Sequence, residues 1–335
     1  MKLIIQIPCL NEAQTLPETL ADLPREIEGV ESIEYLVIDD GSTDDTSDVA
    51  REHGVHHIVR FPQNRGLARA FMAGIDACLR LGADIIVNTD ADNQYQGEDI
   101  GALVTPIVRG EADIVVGDRR VQTVDHFSPT KKKFQKLGSW VVRLASDTDV
   151  PDAPSGFRAI SRDTAMRLFV VGDFSYTIES LIQAGRSRLH VASVPVRTNP
   201  MTRESRLFKG IFQYIRRSGG TILRAYTMVK PLSTFFMLAG ILGFAGFLLG
   251  ARFVYYYIME PDTSGHVQSL ILAAILLLSA VTTGVTGLLA DLVGANRKML
   301  EDVIYRLRRM EYDGERGANS RREPDTTASS KEEGS

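Results

Sequence analysis

Cysteine is scarce. Only Cys9 and Cys78 occur in 335 residues, both in apolar stretches, which leaves no disulfide framework and fits a reducing compartment. Two glycine signatures are also missing. No G-x-G-x-x-G follows a strand pattern, which argues against a dinucleotide site, and no G-x-x-x-x-G-K-[ST] is present, which excludes a P-loop NTPase. Charge of one sign is lacking too: the net value is −4, so nothing global recommends a nucleic-acid partner. His53, His56 and His57 have no cysteine or further histidine nearby and read as a helix end running into a strand, not as a metal centre. The opening Met1–Ile5 has a lysine and an apolar run, but Gln6 and Pro8 break it before a signal-peptide core can form, so it predicts a first buried strand.

What is present begins with alternation. Residues 2–7, 34–38, 57–60, 83–88 and 112–116 predict β-strands, and residues 13–26, 44–53, 67–81 and 98–109 predict the helices between them. Such alternation implies an α/β domain with a mainly parallel sheet covered by helices. Ligands bind beyond the carboxyl ends of the strands in open sheets of this kind. The most informative strand end is Asp90-Ala91-Asp92, which closes the apolar run from Ala83 to Thr89. Two carboxylates one residue apart, with the amide of Gln94 close by, form an all-oxygen set suited to Mg²⁺ or Mn²⁺. These ions keep waters and share a substrate's phosphates, so the pair points to a diphosphate-bearing substrate. The other strand-end loops, Ile7–Glu12 and Val37–Asp44, carry carboxylates suited to the N–H and hydroxyl donors of a base and ribose.

Two long runs near the C-terminus hold no charge: Leu232 to Ala251 over twenty residues, and Val267 to Ala290 over twenty-four. About twenty apolar residues cross a bilayer as a helix, so both predict transmembrane spans. Lys209, Arg216, Arg217, Arg224 and Lys230 precede the first span, and Arg297, Lys298, Arg306, Arg308 and Arg309 follow the second. The positive-inside rule then places both termini in the cytoplasm. Between residues 203 and 230, Leu207, Phe208, Ile211, Phe212 and Ile215 recur at helical spacing among basic residues, which predicts amphipathic helices at the membrane surface. The expected organisation is a catalytic domain over 1–202, interface helices over 203–230, two spans over 231–291, a basic helix over 292–312 and a disordered tail over 313–335.

Six motifs in order carry a resemblance: I-P-x-x-N-E at 7–12, V-I-D-D-G-S-T-D at 37–44, N-R-G at 64–66, D-A-D-N-Q at 90–94, V-G-D-R at 116–119 and S-G-F-R at 155–158. The N-terminal half resembles family 2 glycosyltransferases of the GT-A fold, and the whole chain is similar to their polyprenyl-phosphate branch, which includes dolichyl-phosphate mannose synthase and undecaprenyl-phosphate glucosyltransferases. The resemblance implies transfer of a hexose from a UDP- or GDP-linked donor to undecaprenyl or dolichyl phosphate, with possible tetramers. It further implies that Pro8, Glu12 and Asp39 hold base and ribose, that Asp90, Asp92 and Gln94 hold metal and diphosphate, and that Arg119 faces the acceptor phosphate. Ser155 and Arg158 would line the active site, and Ser139 matches less closely. Before its interface helices the family has R-x-x-G-x-S-K, whereas this chain has Thr202-Arg203-Glu204-Ser205-Arg206. Ser205 and Arg206 align there, while Arg197 or Arg203 stands in for the absent upstream arginine. Glu179 is a spare acid with a catalytic or orienting role. A processive synthase would add Q-x-x-R-W, which is absent around Trp140, and a nucleotidyltransferase would leave both spans unexplained.

Overall fold

The computed structural model describes residues 1–119, 143, 148–170, 176–199, 231–259 and 267–320. Contacts divide the chain into two compact units, Met1–Ser218 with Glu301–Ser335, and Gly219–Leu300.

In the first unit the chain runs β1 (Lys2–Cys9), α1 (Leu16–Asp22), β2 (Ser32–Asp39), α2 (Thr46–Glu52), β3 (His57–Arg60), α3 (Leu67–Arg80), β4 (Ile85–Asn88), α4 (Ile100–Val108) and β5 (Ile114–Asp118). It continues through β6 (Arg158–Ser161), α5 (Arg162–Arg167), α6 (Tyr176–Arg186) and β7 (Val191–Pro195). The described strands form one seven-stranded sheet in the order β3-β2-β1-β4-β6-β5-β7. All pairings are parallel except those of β6, which runs antiparallel between β4 and β5. The mainly parallel sheet is as expected, and β1 to β5 lie close to the predicted runs, whereas β6 and β7 match none of them.

Burial explains the apolar composition of those runs. Leu3, Ile5, Ile7, Val37, Ile85 and Val87 pack on one face with Leu16, Leu103 and Val104, while Ile4, Leu36, Ile38 and Ile86 pack on the other with Phe71, Ile75 and Cys78. A strand covered on both faces has no reason to alternate with polar residues. Helix α1 is shorter than its predicted 13–26 span. Pro17 lies in its first turn, and Leu23 adopts an extended backbone (ψ 137°) just before Pro24, as the residue preceding proline tends to do.

The second unit holds α7 (Pro231–Met259) and the first part of α8 (Val267–Ser320). Both helices are long and apolar enough to cross a membrane. At Gly246 an added Cβ would stand 3.1 Å from Leu276 and Leu277, so these helices approach closely there. Their other faces are bare: Phe244, Phe247, Leu278 and Val281 are all more than 60% exposed. They do not form the buried core of a soluble domain.

Helix α8 runs unbroken past residues 292 and 312, where separate segments were expected, and ends at Ser320. No proline interrupts it before Pro324, so nothing removes a backbone donor from its ladder. From Glu301 onward it belongs to the first unit. The predicted interface helices over 203–230 lie outside the described residues.

Candidate active site

Parallel strands β1, β2, β4 and β5 deliver their carboxyl ends to one sheet edge, and the site is built there. The first two loops are laced together. Asn11, held at φ 56°, accepts from the Thr43 N–H (2.8 Å), its own N–H donates to Ser42 Oγ (3.0 Å), and the Glu12 N–H donates to Thr46 Oγ1 (2.9 Å). Gly41, at φ 75°, lets this loop approach residues 63 and 64, where a Cβ would meet the Gln63 backbone at 2.4 Å.

Asp39 closes β2 and Asp40 follows it, the two pointing to opposite faces as successive residues of an extended chain do. Asp39 is fully buried. It accepts from the Ser42 N–H (2.7 Å) and from Ser47 Oγ, and it pairs with Arg60 at 3.4 Å. Asp40 accepts from the N–H groups of Arg65 (2.7 Å) and Gly66 (2.9 Å) at the start of α3, where a carboxylate suits the helix dipole. Pro8 is buried in β1, and Glu12 is nearly so, with its carboxylate accepting from Thr15 Oγ1 (2.8 Å).

The β4 end is braced from both sides. Thr19 Oγ1 donates to Ala91 O (3.1 Å) and accepts from the Asn93 N–H (3.1 Å), while Asn199 Nδ2 donates to Asn93 O (2.9 Å) and Asn199 N–H to Gln94 O (2.9 Å). The Gln94 N–H donates to Asp92 Oδ1 (3.2 Å). Burial, and then the neighbouring Asp92 charge, push the Asp90 carboxyl up to about 6. Two crowded carboxylates of this kind match the donor set a hard divalent ion needs. Among the described residues no group of three or more His, Cys, Asp and Glu could hold a metal. Asp90 and Asp92, with Gln94 next in the chain, are the residues here that could hold such an ion together with a substrate's own oxygens.

Behind the pair lies a buried polar layer that the sequence motifs do not name. Gln6 Nε2 donates to Asn88 Oδ1 (3.0 Å), and Asn88 Nδ2 donates to Gly156 O (2.9 Å) and Tyr176 Oη (3.1 Å). Gly156 presses against Asp90: a Cβ there would lie 2.8 Å from the Tyr176 hydroxyl and 3.2 Å from Asp90 Oδ1. The S-G-F-R glycine is thus required by close approach.

Arg119, at the β5 end, is brought to the same corner and is one of the charges acting on Asp90. Its Nε and Nη2 fork onto Asp152 at 2.7 and 3.0 Å. Arg158, expected in the active site, sits behind it. It is fully buried, and its guanidinium donates to Thr177 O, Ser180 Oγ, Ala153 O and Ser155 O. Placement in β6 directs it inward, a correction that the S-G-F-R motif could not reveal. Ser155 is buried beside it. Glu179 lies partly exposed on α6, next to the Ser180 that holds Arg158. Arg197 instead pairs with Asp99 (2.8 Å) and Glu98 (3.0 Å) at the surface. Ser139, Arg203, Ser205 and Arg206 lie outside the described residues.

An open, mostly parallel sheet whose strand ends converge on a D-x-D corner defines a GT-A-like glycosyltransferase domain. The profile of glycosyl transferase family 2 matches residues 4–169. An uncharacterized glycosyltransferase of Mycobacterium bovis is 32% identical over 200 residues, covering 59% of this chain and 85% of that one. Undecaprenyl-phosphate mannosyltransferase of Micrococcus luteus is 29% identical over 207 residues, covering 58% and 83%. Among solved structures, glucosyl-3-phosphoglycerate synthase of Mycobacterium tuberculosis, in complex with Mn²⁺, UDP and glucosyl-3-phosphoglycerate, superposes with a TM-score of 0.51 at 20% identity, covering 68% of this chain and 78% of that one. The chain belongs to glycosyl transferase family 2.

Proposed function

We propose that this glycosyltransferase moves a hexose from a nucleoside-diphosphate sugar to a membrane polyprenyl phosphate, undecaprenyl or dolichyl, on the cytoplasmic face. One observation carries the reading: the same chain joins a strand-end D-x-D corner to two helices whose apolar side chains are left uncovered. Exposed apolar surface on this scale marks a lipid or protein contact, and both helices have the length of a bilayer span. In this reading the spans hold the catalytic corner beside an acceptor whose tail lies in the membrane. The Micrococcus luteus relative, named for transfer to undecaprenyl phosphate, supports the same acceptor class.

In this account Pro8, Glu12 and Asp39 form the floor of the base and ribose site. Asp39 already spends its oxygens on its own loop, so it acts chiefly by shaping that floor. Asp90, Asp92 and Gln94 would hold Mg²⁺ or Mn²⁺; the mycobacterial neighbour, solved with Mn²⁺ and UDP, supports a divalent ion as cofactor. The ion's contribution is to neutralise the leaving diphosphate. Arg203, Ser205 and Arg206 are assigned to the same diphosphate, and Glu179 orients the sugar or an acceptor-site arginine.

The acceptor simplifies the chemistry. A phosphate monoester has a second pKa near 6 and is largely dianionic at neutral pH, so it attacks without a strong general base. The protein's work is to bring two anions together in line, with cations neutralising the charge that develops. Arg119 faces the acceptor phosphate in this scheme, and displacement at the anomeric carbon inverts it. Membranes containing the protein, supplied in turn with radiolabelled UDP- and GDP-hexoses, should move label from one donor into an organic-extractable product. Label confined to a water-soluble polymer would point to a processive synthase instead.

A further inference from the structure

The carboxylate that grips Arg119 lies in none of the six motifs. The Asp152 side chain is only 3% exposed, and it accepts from Arg119 Nε (2.7 Å) and Nη2 (3.0 Å) and from the Arg119 N–H (3.4 Å). A guanidinium carries five N–H donors in one plane. A carboxylate seated on the Nε/Nη2 edge takes two of them and fixes the directions of the other three.

Asp152 is itself tied down. Its carbonyl accepts from the Ser155 N–H (3.1 Å). The carbonyls of Ala153 (3.4 Å) and Ser155 accept from Nη2 of Arg158. Nη1 of Arg158 reaches Thr177 O (3.1 Å) and Ser180 Oγ (2.7 Å) on α6. A continuous set of bonds thus runs from α6 through buried Arg158 to the 152–155 loop, to Asp152 and on to the guanidinium at the β5 end.

From this geometry we infer that Asp152 is a positioning residue that sets the plane of Arg119 against the acceptor phosphate, with Arg158 as the buried strut of its loop. The inference rests on Arg119 being the acceptor-phosphate ligand. A buried ion pair is a poor source of stability compared with apolar packing, but a fork defines direction. The Arg119–Asp152 pair is also neutral as a whole. What it offers an arriving phosphate is therefore oriented donors rather than net positive charge.

The test uses the full chain in lipid nanodiscs, with initial rates measured against polyprenyl phosphate and nucleoside-diphosphate affinity measured separately with Mn²⁺. Asp152→Asn should raise the acceptor KM at least tenfold and leave nucleoside-diphosphate affinity within twofold, which also shows that the variant is folded. Asp152→Glu should recover part of the loss. The double variant Arg119→Ala with Asp152→Asn should be no worse than Arg119→Ala alone, since both remove one device. If Asp152→Asn does not fold, Asp152→Glu carries the same comparison, with a smaller rise in KM expected alone and none on top of Arg119→Ala. An acceptor KM unchanged in both Asp152 variants, or losses that multiply in the double variant, would overturn the positioning role while leaving Arg119 as acceptor ligand. A normal acceptor KM in Arg119→Ala would instead sink the assignment of Arg119 itself.

Discussion

Asp90 is under opposing demands. Its place behind Gly156 and beside Asp92 raises its carboxyl to about 6 through burial and then like-charge repulsion, so the metal-free protein holds this anion at a cost. The sign follows from linkage. A carboxyl whose folded pKa lies above its ordinary value of 3.8 favours folding only while protonated, and that contribution is lost as pH rises from about 4 through about 6. Asp90→Asn keeps the shape and removes the charge. With a chelator present it should stabilise the protein at pH 7.5 by on the order of 1–3 kcal/mol, and the gain should fade near pH 4; thermal melts at the two pH values check this. A variant less stable than the parent at pH 7.5 would show that the site compensates the charge without a metal. Asp92 is a cleaner test of function. Asp92→Asn should lower transfer at least a hundredfold, about 2.7 kcal/mol of transition-state stabilisation, with its melting temperature near that of the parent. Undiminished transfer in this variant, or in the parent after chelation, would remove the pair from the chemistry.

At the scale of elements, the last turns of α8 stand out because they join the catalytic unit. Tyr312 is 2% exposed, its hydroxyl donates to Asp76, and the Arg80 guanidinium lies 5.4 Å from its ring. Tyr305 donates to Asp163 (2.6 Å) beneath Arg167, whose guanidinium is 4.0 Å from the ring, and Arg308 Nη1 donates to Leu168 O (2.7 Å). Burial of two aromatic rings makes this seam a structural element of the domain. Tyr312→Ala should therefore destabilise the protein by about 3 kcal/mol, and Tyr312→Phe by about 1 kcal/mol, read as denaturation midpoints; a midpoint unmoved by the alanine would mean that the seam opens in solution. The spacing of Tyr305 and Tyr312 was visible in the sequence, but the many arginines around them dominate any reading by charge. The same contrast holds for the strands. β1 to β5 are apolar runs between helices and were legible. β6 is the four-residue segment Arg158–Ser161, led by a buried arginine and inserted antiparallel, and no local pattern announces it. For the site, the motifs named the strand-end carboxylates because those stand in runs of fixed spacing. They missed Asp152, Asn88 and Gln6, whose roles exist only once β1, β4, β5 and the 152–157 loop are adjacent.

For the whole molecule, the account makes one enzyme of two unlike solvents' demands: a sheet edge that takes a soluble, doubly charged donor, and apolar helices that require lipid. The first half rests on family 2 membership and a GT-A-like domain, and the second on the exposed apolar faces of α7 and α8. From the basic residues before the first helix and after the second we propose, by the positive-inside rule, that the catalytic unit lies on the cytoplasmic side. Cysteines introduced between positions 260 and 266 should accordingly react with an impermeant thiol reagent added outside intact cells, while one at the N-terminus should not; the reverse pattern would invert the topology. The central claim, that the acceptor is a membrane polyprenyl phosphate, is tested most directly by reconstitution. Purified full-length protein in liposomes would be given its labelled nucleotide sugar and Mn²⁺, with and without undecaprenyl or dolichyl phosphate. Nucleoside diphosphate release and organic-phase sugar would be counted together. The account predicts that both appear only when the lipid phosphate is present and in equal amounts. Equal release without it, or label transferred to a soluble phosphorylated acceptor at the same rate, would contradict it.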